Sequence, residues 1–254
     1  MSTNTRIPAG HPARMSNAGR AALFAYAAGV TGILANLFLI VMYVLLGPQA
    51  GRPEAQTLLG SAFHVAGSAS DLLGSLATAF MIPVALFLGG CPPRRRAVRF
   101  TQASGLMAMA LLTVGGPLLV LGVLAFEVDT LTAVASYIVL SLWLLLVNRW
   151  LRLSDALPYR VARLGEFVGA GFLAGYLVVG LGLLLPWMSW PQLVVFGFGV
   201  LVGLPAYLVG IPVWFLLLGR HLGKSWPYSR RVSSDARALW HVLLRRQSSG
   251  RVVL

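Results

Sequence analysis

Stretches of about 20 residues or more with almost no charge recur along this chain, the length an α-helix needs to cross roughly 30 Å of hydrocarbon. They lie at residues 21–46, 66–88, 102–126, 131–151, 167–187 and 192–218. Leu, Val, Ala and Gly fill them without the alternation of barrel strands. Helices are then the structure that satisfies every backbone group away from water. A soluble chain would need more than 11% charged residues to cover its surface, and here 57% are hydrophobic, with a mean hydropathy of +0.79. The expected fold class is an all-α integral membrane protein, a six-transmembrane-helix bundle. Gly47-Pro48 ends the first span, and residues 56–65 read as an exterior or interfacial turn. Cys91-Pro92-Pro93 ends the second span, because paired prolines do not continue a helix. Gly115-Gly116-Pro117 reads as an interruption of the third, and Met188-Ser189-Trp190-Pro191 as a tight turn between the last two.

Charge supplies the orientation. With the N-terminus inside, segments 1–20, 92–101, 149–166 and 219–254 face the cytoplasm and carry three, four, four and eight basic residues. Only Arg52 is left for the other side, beside Glu54, Glu127 and Asp129. Such segregation is the positive-inside pattern, and removing one span would destroy it. Trp187 and Trp190 fall at the expected outer interface. Both termini are therefore expected in the cytoplasm: a tail at 1–20, a helical domain at 21–218, and a basic tail at 219–254. The location this implies is the cytoplasmic (inner) membrane. The net charge of +13 is explained by topology and anionic lipid, and no nucleic-acid motif accompanies it.

Several chemistries lack their residues. Cys91 is the single cysteine, so an internal disulfide, a Cys-x-x-Cys pair and a cysteine zinc site are excluded. His64 is the only histidine placed near a span, with His11, His221 and His241 in the tails, which removes a bis-histidine haem. Lys224 is the only lysine and lies beyond the spans, so a buried Schiff base is unavailable. No His-Glu-x-x-His motif, Gly-x-Ser-x-Gly elbow or P-loop occurs. No cofactor, metal site or catalytic residue is expected, and an intramembrane enzyme would need a nucleophile near His64.

His64, Ser68, Asp71, Ser75 and Thr78 recur at steps of four, three, four and three, one face of the second span. A charged group inside a bilayer is costly and usually faces a bundle interior or a watery cavity. Two readings follow. Asp71 serves a proton, cation or substrate site reached from outside, or it is hydrated or hydrogen-bonded near the outer end of the span. Asn36 shares a face with Gly29, Gly32 and Tyr43 and reads first as an interhelical hydrogen bond. The patterns Gly165-x-x-x-Gly169, Gly171-x-x-x-Gly175 and Gly199-x-x-x-Gly203 mark close helix packing, within the chain or between copies. Prolines 83, 117, 205 and 212 bend or interrupt their spans, most strongly between Gly203 and Pro212. A kink satisfied by neighbours is the first reading there, and a broken-helix binding site the second.

In the C-terminal tail, Ala236, Leu239, Trp240 and Leu243 share one helical face, with Arg237, His241, Arg245 and Arg246 largely elsewhere. A short basic amphipathic helix of this kind suits an anionic inner leaflet. The expected partners are the lipid bilayer, anionic lipid at the cytoplasmic face, and a possible second copy or membrane-complex subunit, without nucleic acid.

Ala69-Ser70-Asp71-Leu72-Leu73 and Trp214-Phe215-Leu216-Leu217-Leu218-Gly219, with Ala27-Ala28-Gly29-Val30-Thr31-Gly32 at the first span, resemble an uncharacterised family of bacterial multi-pass membrane proteins, a domain of unknown function. The resemblance covers residues 20–222. The family pattern has an acidic residue before its last Trp-Leu-Leu, where this chain has Gly210-Ile211-Pro212. It implies no activity, cofactor or site residue. The expectation is small-molecule or ion transport through the polar face of span two, with an accessory subunit of a membrane complex as the alternative.

Overall fold

The computed structural model describes residues 17–46, 59–91, 96–186 and 189–224. Among these residues helix is the only regular structure. The helices are α1 (Asn17–Ile40), α2 (Leu59–Gly89), α3 (Arg96–Val120), α4 (Phe126–Leu153), α5 (Tyr159–Leu183), α6 (Trp190–Pro205) and α7 (Ile211–Lys224). A π-helical turn, Val41–Leu46, prolongs α1, and another, Ala206–Gly210, joins α6 to α7 as one rod. Six of the resulting helices are long and apolar enough to cross a membrane.

Local signals account for several ends. Ser189 caps α6, its hydroxyl accepting from the Gln192 amide at 3.3 Å, with proline in the first turn. Glu127 and Asp129 occupy the first turn of α4 and Arg152 its last, each favourable to the helix dipole. The α4–α5 connection turns through Asp155, the one non-glycine residue with a positive φ (51°) among those described; aspartate tolerates this region.

The helices form a ring in chain order. Each of α1 to α5 packs on the next, and α7 closes the circuit against α1. Consecutive helices therefore alternate in direction. One end collects Arg20, Arg96, Arg99, Arg149, Arg152, Arg160, Arg163, Arg220 and Lys224; this is the basic end. The opposite end carries His64, Glu127 and Asp129.

Several boundaries differ from expectation. Residues 59–65 belong to α2 instead of a turn. The third helix starts at Arg96 and ends at Val120, and the fifth starts at Tyr159. The last helix runs to Lys224, which brings His221 into α7 and out of the tail. Gly115-Gly116-Pro117 does not interrupt α3. A proline removes one helical hydrogen bond, and neighbours on both sides hold the helix through that loss. Arg and hydrophobic stems at the ends continue helices past the point where hydropathy falls.

The buried core sits towards the basic end. Trp143, Trp214, Phe172, Phe215, Leu88, Met109, Leu151 and Leu218 are enclosed there. Contact among similar Leu-, Val- and Ala-rich faces favours no particular helix pairing, so close approach and hydrogen bonds select it. Two networks supply them. Gln102 donates to the Ala85 carbonyl at 2.7 Å and accepts from the Trp143 indole at 3.0 Å, tying α3 to α2 and α4. Asn148 accepts from the Trp214 indole at 3.2 Å and donates to the Leu144 carbonyl at 2.8 Å. Gly105 and Gly165 leave the room that Trp143 and Asn148 occupy. No buried polar side-chain atom among the described residues lacks a partner. Outside, Leu23, Val30, Leu37, Leu76, Leu111, Leu177, Leu181 and Leu201 are exposed, a surface suited to lipid and unsuited to water.

Candidate functional site

The core does not extend to the other end of the ring. There the helices enclose a cavity of about 530 Å³, within the range of small-molecule sites. α2 contributes Ser70, Asp71, Ser75 and Thr78, and α4 contributes Asp129, Thr132 and Tyr137. Tyr176 of α5 and Tyr207 of the π turn join them. Leu39, Ile40, Tyr43 and Val44 line it from the first span, and Phe196, Val200 and Leu204 from α6.

Helical spacing brings Asp71, Ser75 and Thr78 to this space. His64 and Ser68, the remainder of the expected polar face, are not among the lining residues; His64 is exposed beyond the mouth. The difference is depth: the face continues in register, but those first turns of α2 lie past the enclosed part of the ring. The hydroxyls are already engaged. Ser75 donates to the Leu112 carbonyl at 3.1 Å, and Thr78 bonds back to Ser75 and Gly74 carbonyls at 2.9 and 3.1 Å. The Asp71 carboxylate differs from both. No hydrogen bond or ion pair reaches it among the described residues, where the ion pairs are Arg152–Glu166 and Arg163–Glu166 at the basic end.

Gly115-Gly116 makes the site possible. A Cβ on Gly116 would stand 2.8 Å from the Asp71 carbonyl and collide with the Ser75 hydroxyl; one on Gly115 would reach Asp129 Oδ1 at 3.0 Å. The two glycines thus form a thin stretch of α3 against which both acidic helices settle. Asp71 and Asp129 reach one cavity because nothing projects from α3 between them.

Tyrosines form the floor. The rings of Tyr137 and Tyr176 lie 4.9 Å apart and those of Tyr137 and Tyr207 5.6 Å apart, edge to face, with Phe172 behind them. The Tyr137 and Tyr207 hydroxyls are 3.5 Å apart. Below them a void of only about 30 Å³ remains, and then the core begins. The cavity is therefore closed towards the basic end.

Tyr137, Tyr176, Tyr207, Asp129 and Thr132 are the residues that sequence reasoning missed. The tyrosines come from three separate elements with no shared spacing, and Asp129 read as part of a loop. Its place in the first turn of α4, after a short connection, was the available signal.

The other singled-out residues have separate roles. Asn36 lies on α1 just below the cavity and donates to the Leu208 carbonyl at 2.9 Å. Gly175 and Gly203 meet backbone to backbone, and Gly199 abuts Val179, so these glycines press α6 onto α5 inside the ring. Gly171 faces Ala206 across ordinary van der Waals space. Arg237, Trp240, Arg245 and Arg246 lie outside the described residues. No group of three or more His, Cys, Asp or Glu that would suit a metal ion occurs among the described residues. Cys91, beyond the end of α2, is buried, and burial pushes its thiol up to about 11. Comparison with protein-family models, with curated proteins and with solved structures returns no match.

Proposed function

We propose that the chain is a multi-pass protein of the cytoplasmic membrane, with both termini inside, that takes a small solute into this cavity from the outer side and transports it. The observation that carries the reading is two carboxylates, Asp71 and Asp129, without an ion pair among the described residues, on a cavity closed at one end. Carboxylates at this depth are expensive and persist where something is bound or moved. Collection of the described basic residues at one end supports the orientation.

Transport requires the tyrosine floor to part. Tyr207 belongs to the π turn, where the last span departs from α-helical bonding between Pro205 and Pro212. Such turns recur at functional positions, and displacement of this one would move the floor.

An accessory subunit is the alternative, with glycine faces engaging a partner. Gly175, Gly199 and Gly203 are occupied within the bundle, which favours the solute reading. The test is flux into proteoliposomes, reading proton movement with an internal pH dye and uptake of labelled tetramethylammonium. Wild type should move one or both, and Asp71→Asn should lose at least tenfold. Equal flux from the two proteins would remove Asp71 from the mechanism. Orientation is checked in cells by labelling single cysteines at Ser2 and Arg52; reagent confined to the outside should reach only the second.

A further inference from the structure

The ring is not equally tight around its circumference. At the basic half α1 and the last span are locked together: Gly29 lies under Leu216 and the Pro212 carbonyl, and Gly219 lies on Tyr26. Beyond Pro212 they part. α6 leans on α5 through its glycines, α1 leans on α2, and extensive packing between α1 and α6 is absent among the described residues. The two helices make a V whose apex is the Asn36–Leu208 bond and whose arms border the cavity.

The walls of this V differ chemically from the rest of the site. Leu39, Ile40 and Val44 face the cavity on one arm, with Tyr43 the single polar side chain there, and Phe196, Val200 and Leu204 face it on the other. The carboxylates and hydroxyls of α2 and α4 line the rest, with tyrosine rings at the floor. A cation is the natural partner of two carboxylates that have no basic neighbour among the described residues, and tyrosine faces attract cations as well. An apolar chain is the natural occupant of the side walled by Leu39, Val44, Phe196 and Val200, between two helices that do not pack extensively on one another. Inorganic cations would have no use for that cleft, and a wholly apolar solute would have none for the carboxylates.

We infer that the ligand is an amphipathic organic cation, its charged nitrogen between Asp71 and Asp129 over the tyrosine floor and its tail leaving between α1 and α6 into the bilayer. This deepens, and rests on, the reading of the cavity as a solute site in a membrane-spanning chain. The V lets such a molecule slide in from the outer leaflet with its tail remaining in hydrocarbon, so that only the head changes surroundings.

The test uses the full chain in phosphatidylcholine nanodiscs, with empty nanodiscs subtracted. Three probes are titrated: tetramethylammonium, decyltrimethylammonium and decyl phosphate. Decyltrimethylammonium should bind at least tenfold more tightly than tetramethylammonium, and decyl phosphate should show no saturable binding. Asp71→Asn with Asp129→Asn should weaken both cations tenfold or more. Val200→Trp, which fills the space between α1 and α6, should weaken the decyl compound at least tenfold more than it weakens tetramethylammonium, and an unchanged unfolding temperature shows that the variant is folded. Leu39→Trp repeats this from the opposite arm.

Equal affinity for the two cations, or decyl binding indifferent to both tryptophans, would overturn the lateral cleft while leaving the cavity reading in place. Saturable binding of decyl phosphate would overturn the cationic head. Absence of binding by either cation, together with flux unchanged in Asp71→Asn, would remove both readings.

Discussion

The side-chain amide of Asn36 donates to the backbone carbonyl of Leu208 at 2.9 Å, a carbonyl that a regular α-helix would pair with the N–H of residue 212, which proline lacks. The Tyr207 carbonyl is also within reach, at 3.4 Å. The π turn in the last helix is therefore supported by a side chain of the first. Asn36→Ala should destabilise the protein by about 1 kcal/mol, the scale of a polar bond between membrane helices. In a Pro212→Ala background the restored N–H supplies the carbonyl, and the same substitution should cost less than half as much. A double-mutant cycle by thermal unfolding in one detergent measures the difference; equal costs in both backgrounds would refute the assignment.

Gly116 should tolerate no side chain. Its Cβ would meet the Asp71 carbonyl at 2.8 Å and the Ser75 hydroxyl closer still, so α2 and α3 would have to separate. Overpacking of this kind costs about 1–3 kcal/mol. Gly116→Ala should lower the unfolding temperature and weaken cation binding by the cavity, whereas Gly197→Ala, with open space around its position, should leave both unchanged.

Glu166 accepts from Arg152 Nε at 2.6 Å and from Arg163 at 3.2 Å, but the two arginines do not contribute equally. The Arg163 side chain is 62% exposed and that of Arg152 28%, and exposed ion pairs are weak. Arg163→Ala should change stability by less than about 0.5 kcal/mol. Arg152→Ala leaves a buried carboxylate short of its nearer donor, and about 1–3 kcal/mol should be lost. Ranking the two variants by unfolding temperature checks this order.

Cys91 should be slow to react while the chain is folded. Alkylation needs the thiolate, and with the thiol pushed up to about 11 only a small fraction is ionised at pH 8. The rate should climb about tenfold per pH unit from pH 7 to 9, because the ionised fraction does so below the pKa. Maleimide labelling followed by mass spectrometry reads it, and unfolding in dodecyl sulfate should make the thiol react at the ordinary rate. A rate that levels off below pH 9 in the folded protein would contradict the buried position.

Much of the bundle could be read along the chain because each span satisfies its own backbone, and hydropathy detects such segments one at a time. Boundaries were less legible. Arg96, Tyr159 and Lys224 lie inside helices although they lie outside the apolar windows, since a helix continues as long as its hydrogen bonds do. The site was legible on one helix only. Asp71, Ser75 and Thr78 declared themselves by spacing, whereas Tyr137, Tyr176 and Tyr207 have no relation to one another until the ring closes. Gly115-Gly116-Pro117 was misleading for a related reason. Its composition says that a helix breaks, and only the neighbours on α2 and α4 show that the missing side chains are what matters.

The sequence by itself determined the six segments long and apolar enough to cross a membrane, the segregation of basic residues and the face on which Asp71 lies. Each of these depends on local hydrophobicity and helical period, quantities written residue by residue. Only the tertiary structure decided that the ring is packed solid at the basic end and hollow at the other, that Asp129 shares the hollow with Asp71, and that α1 and α6 part above Asn36. The physical reason is that the apolar helix faces are alike in composition and by themselves favour no pairing. Small residues and side-chain hydrogen bonds choose them, through partners far apart in the chain, as Gly175 with Gly203 and Asn36 with Leu208 show.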